Sequence, residues 1–243
     1  MSDLSVDRPI HRAVVLAAGK GKRMGELTTD IPKPMLPVHG KPMLAHILQR
    51  LSEAGLTEFL LIVGHGRDSI QRYFARWPAP IQFCVQEPVN GTGSAALLAR
   101  NFTANQPFLL TYGDILVDPG EYARSGAVLA SDSKISAVLA VKAVDDPWQG
   151  AAVYEENGRI QRIIEKPPRG SSLTHWNSAG FYVFRPILFE YLDRVTPSSR
   201  GEYELTSALD LMLDAGLDLR ISSVEGDWRD VGRPEDLAAV NAD

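Results

Sequence analysis

Short apolar runs and amphipathic segments alternate along the first half of the chain. Four of the runs are brief and continuous, as buried parallel strands are: residues 12–16, 59–63, 81–86 and 108–111. Between the first two, apolar side chains recur at helical spacing from Met43 to Leu51, and Gly55 ends that helix. Shorter helices are predicted over 69–76 and 93–100. The alternation predicts an α/β fold of three layers with a mostly parallel central sheet.

The pattern changes after about Ile135. Four strand-like runs with short connections predict a smaller, partly antiparallel lobe: residues 135–143, 151–154, 160–164 and 178–184. Helices are expected again at 186–194, 204–214 and 234–240. No linker rich in Pro, Gly or Ser separates the halves. We therefore predict one domain over 1–243, with a first lobe at about 10–135 and a second at about 136–243.

Composition narrows the class of protein. The chain has 243 residues, 44% of them hydrophobic, and a formal net charge of −5, which provides no positive field for nucleic acid. Its one cysteine, Cys84, lies in an apolar run, is expected to pack in the core, and fits a reducing compartment. Met1–Pro9 contain no apolar run, and no segment approaches the ~20 apolar residues that span a bilayer. We expect a cytoplasmic protein without a signal peptide and without nucleic-acid or membrane partners.

A glycine-containing loop follows the first strand. Residues 17–35 show no periodicity and are predicted to be a long loop that begins Ala17-Ala18-Gly19-Lys-Gly21-Lys-Arg23. Small residues let backbone N–H groups approach phosphate, and an arginine offers a fork to phosphate oxygens. The loop is neither a Walker motif nor a dinucleotide fingerprint. Taken alone, it also fits a flexible basic turn.

Two prolines flank one lysine further along this loop, in Pro32-Lys33-Pro34. Proline restricts the backbone, so the lysine is held as a pre-organised cation. The alternative is an ordinary lysine on a surface loop.

The two motifs together resemble the sugar-1-phosphate nucleotidylyltransferases, which include glucose-1-phosphate thymidylyltransferases and N-acetylglucosamine-1-phosphate uridylyltransferases. The resemblance runs from about Arg12 to Ala239. It implies a Rossmann-like nucleotidyltransferase fold, with a nucleotide lobe followed by an acceptor lobe. It further implies transfer of a nucleotidyl group from a nucleoside triphosphate to a sugar 1-phosphate, with Mg²⁺ as cofactor.

The resemblance also assigns residues of the nucleotide lobe. The implied nucleotide-binding positions are Leu16, Ala17, Ala18, Gly19, Gly21, Gln86, Gly91, Thr92 and Gly113. Among them, Gln86 and the Gly91 backbone would meet the edge of the base. Read without the resemblance, Gln86 to Gly93 is a polar turn before a helix. A uracil or thymine base is favoured over cytosine, because a backbone N–H at Gly91 demands a carbonyl.

Catalytic, metal and acceptor positions follow from the same resemblance. Arg23, Lys33 and Lys166 are the implied catalytic cations, and Asp114 and Asp230 are the implied Mg²⁺ ligands. The acceptor-binding positions are Gly150, Glu165, Asn177 and Glu202, with Thr206 at the rim. Alone, each aspartate is more often a turn or cap residue, and Glu165-Lys166 is a solvated strand end.

Two departures from the family pattern leave the acceptor open. Glu26 replaces a proline of the first loop, and Trp148-Gln149-Gly150 stands where the family has Tyr-Gly-Val. A cyclitol phosphate or choline phosphate acceptor, another nucleotide, and a non-catalytic nucleotide-sugar sensor remain alternatives. The chain shows no hexapeptide repeats near Asp243, so no second activity is expected. The pattern does not distinguish a monomer from a homodimer.

Overall fold

A computed structural model describes residues 10–242 of the chain. The expectation about a signal peptide concerns Met1–Pro9 and lies outside the described residues. Across residues 10–242, no helix has the length and apolar character that crossing a membrane requires.

Strands and helices alternate through the first lobe, and strands predominate at the start of the second. The strands are β1 (Arg12–Ala17), β2 (Pro37–Val38), β3 (Lys41–Pro42), β4 (Glu58–Val63), β5 (Ile81–Val85), β6 (Phe108–Tyr112), β7 (Ile115–Val117), β8 (Ile135–Ala143), β9 (Ala151–Glu156), β10 (Arg159–Glu165), β11 (Trp176–Phe184), β12 (Asp218–Ser223) and β13 (Trp228–Asp230). The α-helices are α1 (Met43–Glu53), α2 (Arg67–Phe74), α3 (Thr92–Leu97), α4 (Arg100–Thr103), α5 (Pro119–Ala130), α6 (Leu188–Leu192), α7 (Leu205–Asp214) and α8 (Pro234–Ala242).

One continuous sheet carries both lobes. Its strand order is β5-β4-β1-β6-β11-β8-β12-β10-β9. The first four strands are mutually parallel, with Ala13 of β1 opposite Phe59 on one side and Leu109 on the other. Strand β11 then pairs antiparallel with β6 and with β8, so the strand direction changes where the two lobes meet. The three-layer α/β fold with a partly antiparallel second lobe is confirmed.

Two apolar clusters cover the faces of this sheet. Ala13 and Val15 of β1 pack into a cluster with α1, whose apolar stripe from Met43 to Leu51 is fully buried. Val14 points the other way, into a cluster with α6 and α7. Alternate residues of a central strand therefore bury against different helical layers, as a sheet covered on both faces requires.

Several predicted boundaries differ from the structure. The segment predicted as one helix over 93–100 contains two, α3 and α4, and the helix predicted over 186–194 is only α6. Residues 17–35 are not entirely irregular, because 3₁₀ turns form at Lys22–Thr28 and Lys33–Met35. Such turns have no apolar repeat that a sequence pattern can show.

Candidate active site

The first loop wraps closely around the lysine of the second motif. Gly21 has φ 62°, and a Cβ there would lie 2.8 Å from Lys33 Cβ, so only glycine lets the two segments pack. Met24 is buried and anchors the 3₁₀ turn that carries Arg23. The loop therefore presents Arg23 from a fixed turn rather than from a flexible segment.

Lys33 is buried and paired with an aspartate. Its side chain is held between Pro32 and Pro34 at the start of a 3₁₀ turn, and the whole residue is only 7% exposed. Its Nζ lies 2.6 Å from Oδ2 of Asp114, which follows β6. Burial and pairing exclude the reading of Lys33 as an ordinary surface lysine.

The second aspartate reaches the same place on a separate two-stranded ribbon. Strand β13 pairs antiparallel with β7, which sets Asp230 opposite Ile115, the residue after Asp114. The Val231 N–H donates to the Asp114 carbonyl at 3.0 Å. The ladder thus brings together two carboxylates that are 116 residues apart in the sequence (230 − 114).

The surroundings of Asp230 disfavour the charged form of its carboxyl group. Water reaches the carboxyl from the cleft, but protein surrounds most of it. This partial desolvation, followed by repulsion from Asp114, raises the pKa of Asp230 to about 6, while Lys33 and Arg23 act in the opposite sense. A divalent cation between the two carboxylates would relieve that repulsion.

The donor set fits Mg²⁺ that is shared with substrate. Within residues 10–242 there is no group of three or more His, Cys, Asp or Glu side chains able to cage a metal. Mg²⁺ is commonly held by one or two carboxylates while substrate phosphates and waters complete its shell. Asp114 and Asp230 match this arrangement.

A cavity of about 400 Å³ opens at the carboxyl ends of β1 and β6. It is lined by every residue expected to bind nucleotide: Leu16, Ala17, Ala18, Gly19, Gly21, Gln86, Gly91, Thr92 and Gly113. Arg23, Lys33 and Asp114 line it as well. The carboxyl edge of parallel strands is where α/β proteins bind ligands, so we name this space the nucleotide cavity.

The Gln86 side chain is fixed in one orientation. It is 5% exposed, and its Nε2 donates to the Gly91 carbonyl at 2.8 Å and to Ser94 Oγ at 2.9 Å. Rotating the amide would set Oε1 against the Gly91 carbonyl oxygen. Gly91 itself is obligatory, because a Cβ would collide with the backbone of Tyr203. The turn is therefore rigid and leaves Gln86 Oε1 as the free acceptor of the amide.

A second cavity of about 540 Å³ lies in the acceptor lobe. All four positions expected to bind the acceptor line it, namely Gly150, Glu165, Asn177 and Glu202, together with Lys166 and Thr206. We name it the acceptor cavity. The two cavities meet, since Arg23, Tyr112, Asp114 and Gly232 line both.

Comparison with known proteins establishes the family. The model described as nucleotidyl transferase matches residues 12–243. This chain belongs to the nucleotidyl transferase family. The resemblance noted from its motifs is therefore confirmed.

Relatives of this nucleotidyl transferase include one named for glucose 1-phosphate and one named for glycan biosynthesis. It is 35% identical to UTP–glucose-1-phosphate uridylyltransferase AglF of Haloferax volcanii, with 93% of each chain covered. It is 33% identical to the low-salt glycan biosynthesis nucleotidyltransferase Agl11 of the same organism, covering 95% of this chain and 65% of Agl11. It spans about half, 53%, of the archaeal bifunctional GlmU proteins that it also matches. A solved UDP-glucose pyrophosphorylase in complex with UDP-glucose superposes with TM-score 0.87 over 96% of this chain and 97% of that one, at 22% identity, which shows the shared fold.

The wall of the acceptor cavity contains a charged group that the sequence did not single out. Arg200 donates to Glu204 at 3.0 Å and to Glu165 at 3.4 Å, and Thr206 lies 3.4 Å from Glu165. Burial raises the pKa of Glu165. The positive charges of Lys166 and Arg200 oppose this shift, and the negative charge of Glu204 adds to it. The sequence feature that could have pointed to Arg200 is its position directly before Gly201-Glu202, which includes an expected acceptor-binding residue.

Gly150 and Asn177 form a narrow corner of the same cavity. The Lys166 N–H donates to the Gly150 carbonyl at 2.7 Å, and a Cβ on Gly150 would collide with Asn177 Oδ1. That oxygen is buried and accepts no hydrogen bond from residues 10–242. A buried acceptor without a donor is costly.

Proposed function

We propose that this nucleotidyl transferase moves a nucleotidyl group from UTP or dTTP to a sugar 1-phosphate, forming a nucleotide sugar and pyrophosphate. One observation carries the proposal: the nucleotide and acceptor cavities meet at Asp114, with Asp230 beside it. Reactants in the two cavities would approach each other at the only place where both aspartates and Lys33 converge within the described chain.

The reaction is a direct displacement at phosphorus. An oxygen of the acceptor phosphate attacks the α-phosphorus, the new P–O bond forms, and the bond to the β-phosphate oxygen breaks with its electrons on pyrophosphate. Such chemistry depends on positioning and charge neutralisation rather than on a protein nucleophile. A phosphate dianion is already nucleophilic near neutral pH, so no general base is needed.

Each cation has a separate role. Lys166 lines only the acceptor cavity and would hold the attacking phosphate. Lys33 lines only the nucleotide cavity and would face the α-phosphate region, while Arg23 lines both and would hold the leaving phosphates. Mg²⁺, held by Asp114 and Asp230 when bound, supplies charge neutralisation at the phosphates of both reactants.

The lining of the acceptor cavity supports a polyhydroxylated acceptor. The Glu165 carboxylate is an acceptor that sugar hydroxyls can satisfy. Thr206 and Ser178 add hydroxyls to the same wall. AglF, which shares 93% coverage with this chain, is named for glucose 1-phosphate, and that name supports a hexose 1-phosphate here.

The fixed Gln86 amide supports UTP or dTTP as donor. Its free Oε1 accepts a hydrogen bond, and uracil and thymine each present a donor at N3. Cytosine presents an acceptor at N3, so two acceptors would face each other. The Gly91 backbone, expected to meet a carbonyl, adds to the same preference.

The proposed reactants are small metabolites, and the composition of the chain agrees with such partners. The net charge of −5 gives no field for nucleic acid, and the lone Cys84 fits a reducing compartment. We therefore propose that the enzyme works in the cytoplasm without a nucleic-acid or membrane partner.

A pyrophosphate-release assay over a panel of acceptors tests the proposal. The panel combines UTP or dTTP with hexose and N-acetylhexosamine 1-phosphates, a cyclitol phosphate and choline phosphate, and Asp114→Asn is the inactive control. Release with a sugar 1-phosphate supports the proposal. Release only with a cyclitol or choline phosphate changes the acceptor. Nucleotide binding without release from any acceptor identifies a sensor instead.

A further inference from the structure

Asp230 lies on a two-stranded ribbon that is separate from the main sheet. Strand β13 pairs only with β7, through three residue pairs, and neither strand joins the nine-stranded sheet. A ribbon of this size has little stability of its own. Beside its pairing with β7 and the burial of the adjacent Val231, the position of Asp230 is set by contacts that hold the turn leading into β13, residues 224–227.

A buried carboxylate of helix α5 holds that turn. Glu121 is 3% exposed, and its Oε1 accepts hydrogen bonds from the N–H groups of Glu225 at 3.1 Å and Gly226 at 2.8 Å. Arg124, one helical turn along, lies 3.6 Å from the same oxygen. Burying a carboxylate is costly unless it is paired and hydrogen-bonded. The two backbone donors of the turn satisfy Oε1, whereas Oε2 is buried and accepts no hydrogen bond from residues 10–242.

Two further side chains fix the same turn. Asp118 Oδ2 accepts from the Asp227 N–H at 2.9 Å, and the Asp118 N–H donates to the Asp227 carbonyl at 3.1 Å. Lys142 Nζ donates to the carbonyls of Val224 at 3.2 Å and Gly226 at 3.4 Å. Gly226 is packed so closely that a Cβ would collide with Asp118 Oδ2. The N–H groups of the turn are therefore held by Glu121 and Asp118, and its carbonyls are held by Lys142 of β8 and the Asp118 N–H.

A short backbone segment with several hydrogen bonds connects the 224–227 turn to Asp230. Trp228 donates its Nε1–H to the Ala179 carbonyl at 2.8 Å, and residues 228–230 pair along β7. Asp230 lies four positions after Gly226 (230 − 226). The turn is therefore one of the contacts, together with β7 and Ala179, that fix the short segment carrying Asp230.

We infer that Glu121 is a positioning residue for Asp230, acting through the 224–227 turn and never touching the reactants. It lines neither the nucleotide cavity nor the acceptor cavity. What the turn requires is an acceptor oxygen in the place of Oε1, and not the negative charge. The catalytic consequence rests on the proposed function, whereas the control of the turn itself does not.

The test compares two substitutions with a matched control. Glu121→Ala removes the acceptor, and Glu121→Gln keeps an acceptor oxygen without charge. Ser125→Ala is the control, because Ser125 is 1% exposed, lies one turn further along α5, and has no hydrogen bond to the 224–227 turn. Hydrogen exchange of residues 225–230 reports the ribbon, Mn²⁺ binding in the presence of pyrophosphate reports the metal ligands, and kcat reports the reaction.

We expect Glu121→Ala to speed exchange in the ribbon, to weaken Mn²⁺ binding about 10-fold, and to lower kcat about 10- to 100-fold, the range typical of residues that orient metal ligands. The KM of the acceptor should stay within twofold. Glu121→Gln should remain within about threefold of the native protein in every measurement, and Ser125→Ala should match it.

Native exchange and native Mn²⁺ affinity in Glu121→Ala would overturn the inference, as would a Glu121→Gln variant as impaired as Glu121→Ala. If Glu121→Ala does not fold, Gly226→Ala displaces the turn from outside the core and must give the same pattern. If the native protein shows no nucleotidyl transfer, the proposed function fails, and the exchange measurement still decides whether Glu121 holds the ribbon.

Discussion

The ammonium of Lys33, which lines the nucleotide cavity, lies 2.6 Å from the carboxylate of Asp114, which lines both cavities. A cation expected at the α-phosphate and an expected metal ligand thus form one ion pair. Lys33 also counteracts the raised pKa of Asp230. Removing Lys33 therefore changes the charge balance of both aspartates, in addition to any contact with the triphosphate.

Lys33 and Lys166 should affect different kinetic constants. Lys33→Ala should lower kcat about 10²- to 10³-fold, about 3–4 kcal/mol at 1.36 kcal/mol per decade, because it stabilises charge at the reacting phosphorus. Lys166→Ala should instead raise the KM of the acceptor more than that of the triphosphate. Initial-rate kinetics with both substrates varied measures the split. Lys134→Ala, at an exposed position outside both cavities, is the control, and equal KM effects in Lys166→Ala contradict the assignment.

The two aspartates should act as one unit. Asp114→Asn and Asp230→Asn should each lower kcat about 10³-fold, because each removes a carboxylate from the metal site. The double variant should be little worse than either single variant, since residues that act together are not additive. Mg²⁺-dependent turnover is the measurement, with exposed Asp145→Asn as control. Full activity in Asp230→Asn would exclude a two-aspartate site.

Donor choice should depend on the orientation of Gln86. The native enzyme should use UTP or dTTP about 10- to 100-fold better than CTP, since a mismatched buried pair costs about 1–3 kcal/mol. Ser94→Ala removes one of the two acceptors that hold Nε2 and should narrow this ratio. The measurement is kcat/KM for each triphosphate with one acceptor. A preference for CTP or GTP contradicts our reading of Gln86 and Gly91.

No covalent intermediate is expected. Both substrates should bind before pyrophosphate leaves, giving intersecting double-reciprocal plots, whereas parallel plots or a trapped nucleotidyl-enzyme indicate a covalent route. Cys84 lies in β5 and lines neither cavity. Cys84→Ser should accordingly keep kcat within about twofold of the native value.

Asp210 should make the fold less stable as the pH rises. Partial desolvation, followed by repulsion from Asp214, raises its pKa to about 6, so the folded state holds the proton more tightly than the unfolded state does. Stability from this group is complete below about pH 4 and is lost as the pH rises through about 6.

Asp210→Asn should therefore raise Tm above pH 6 and match the native protein near pH 4. The carboxylate is exposed to solvent, so the gain should be no more than about 1 kcal/mol, or about 2–4 °C. Thermal unfolding from pH 4 to pH 8 measures it. A constant Tm difference across this range would show that the effect is not one of titration.

The strands and the motifs could be predicted because each is formed by residues that follow one another in the sequence. Strand β8 runs from Ile135 to Ala143, as the apolar run indicates, and the segments around Gly19 and Gly113 meet because both follow parallel strands. Helix α5 was not predicted. Its buried positions include Glu121 and Ser125 beside Tyr122 and Leu129, so polar residues interrupt the apolar stripe, and the hydrogen-bond partners of Glu121 are distant in sequence.

Pairings between distant residues could not be read from the chain. Lys33 and Asp114 are 81 residues apart, and their contact exists only once β1, β6 and the first loop are assembled. Strand β13 has three residues and depends on β7, so no local alternation marks it. Arg200 reads as an ordinary loop cation until Glu165 and Glu204 are placed beside it.

The continuous sheet determines how the reactants can approach. Asp114 follows β6, and β11, which contributes Asn177 and Ser178 to the acceptor cavity, is the next strand across. Neighbouring strands are about 4.8 Å apart and bound by a ladder of hydrogen bonds, so no hinge lies between them. For the proposed reaction, the distance between a donor beside Asp114 and an acceptor beside Asn177 would therefore be fixed when the chain folds.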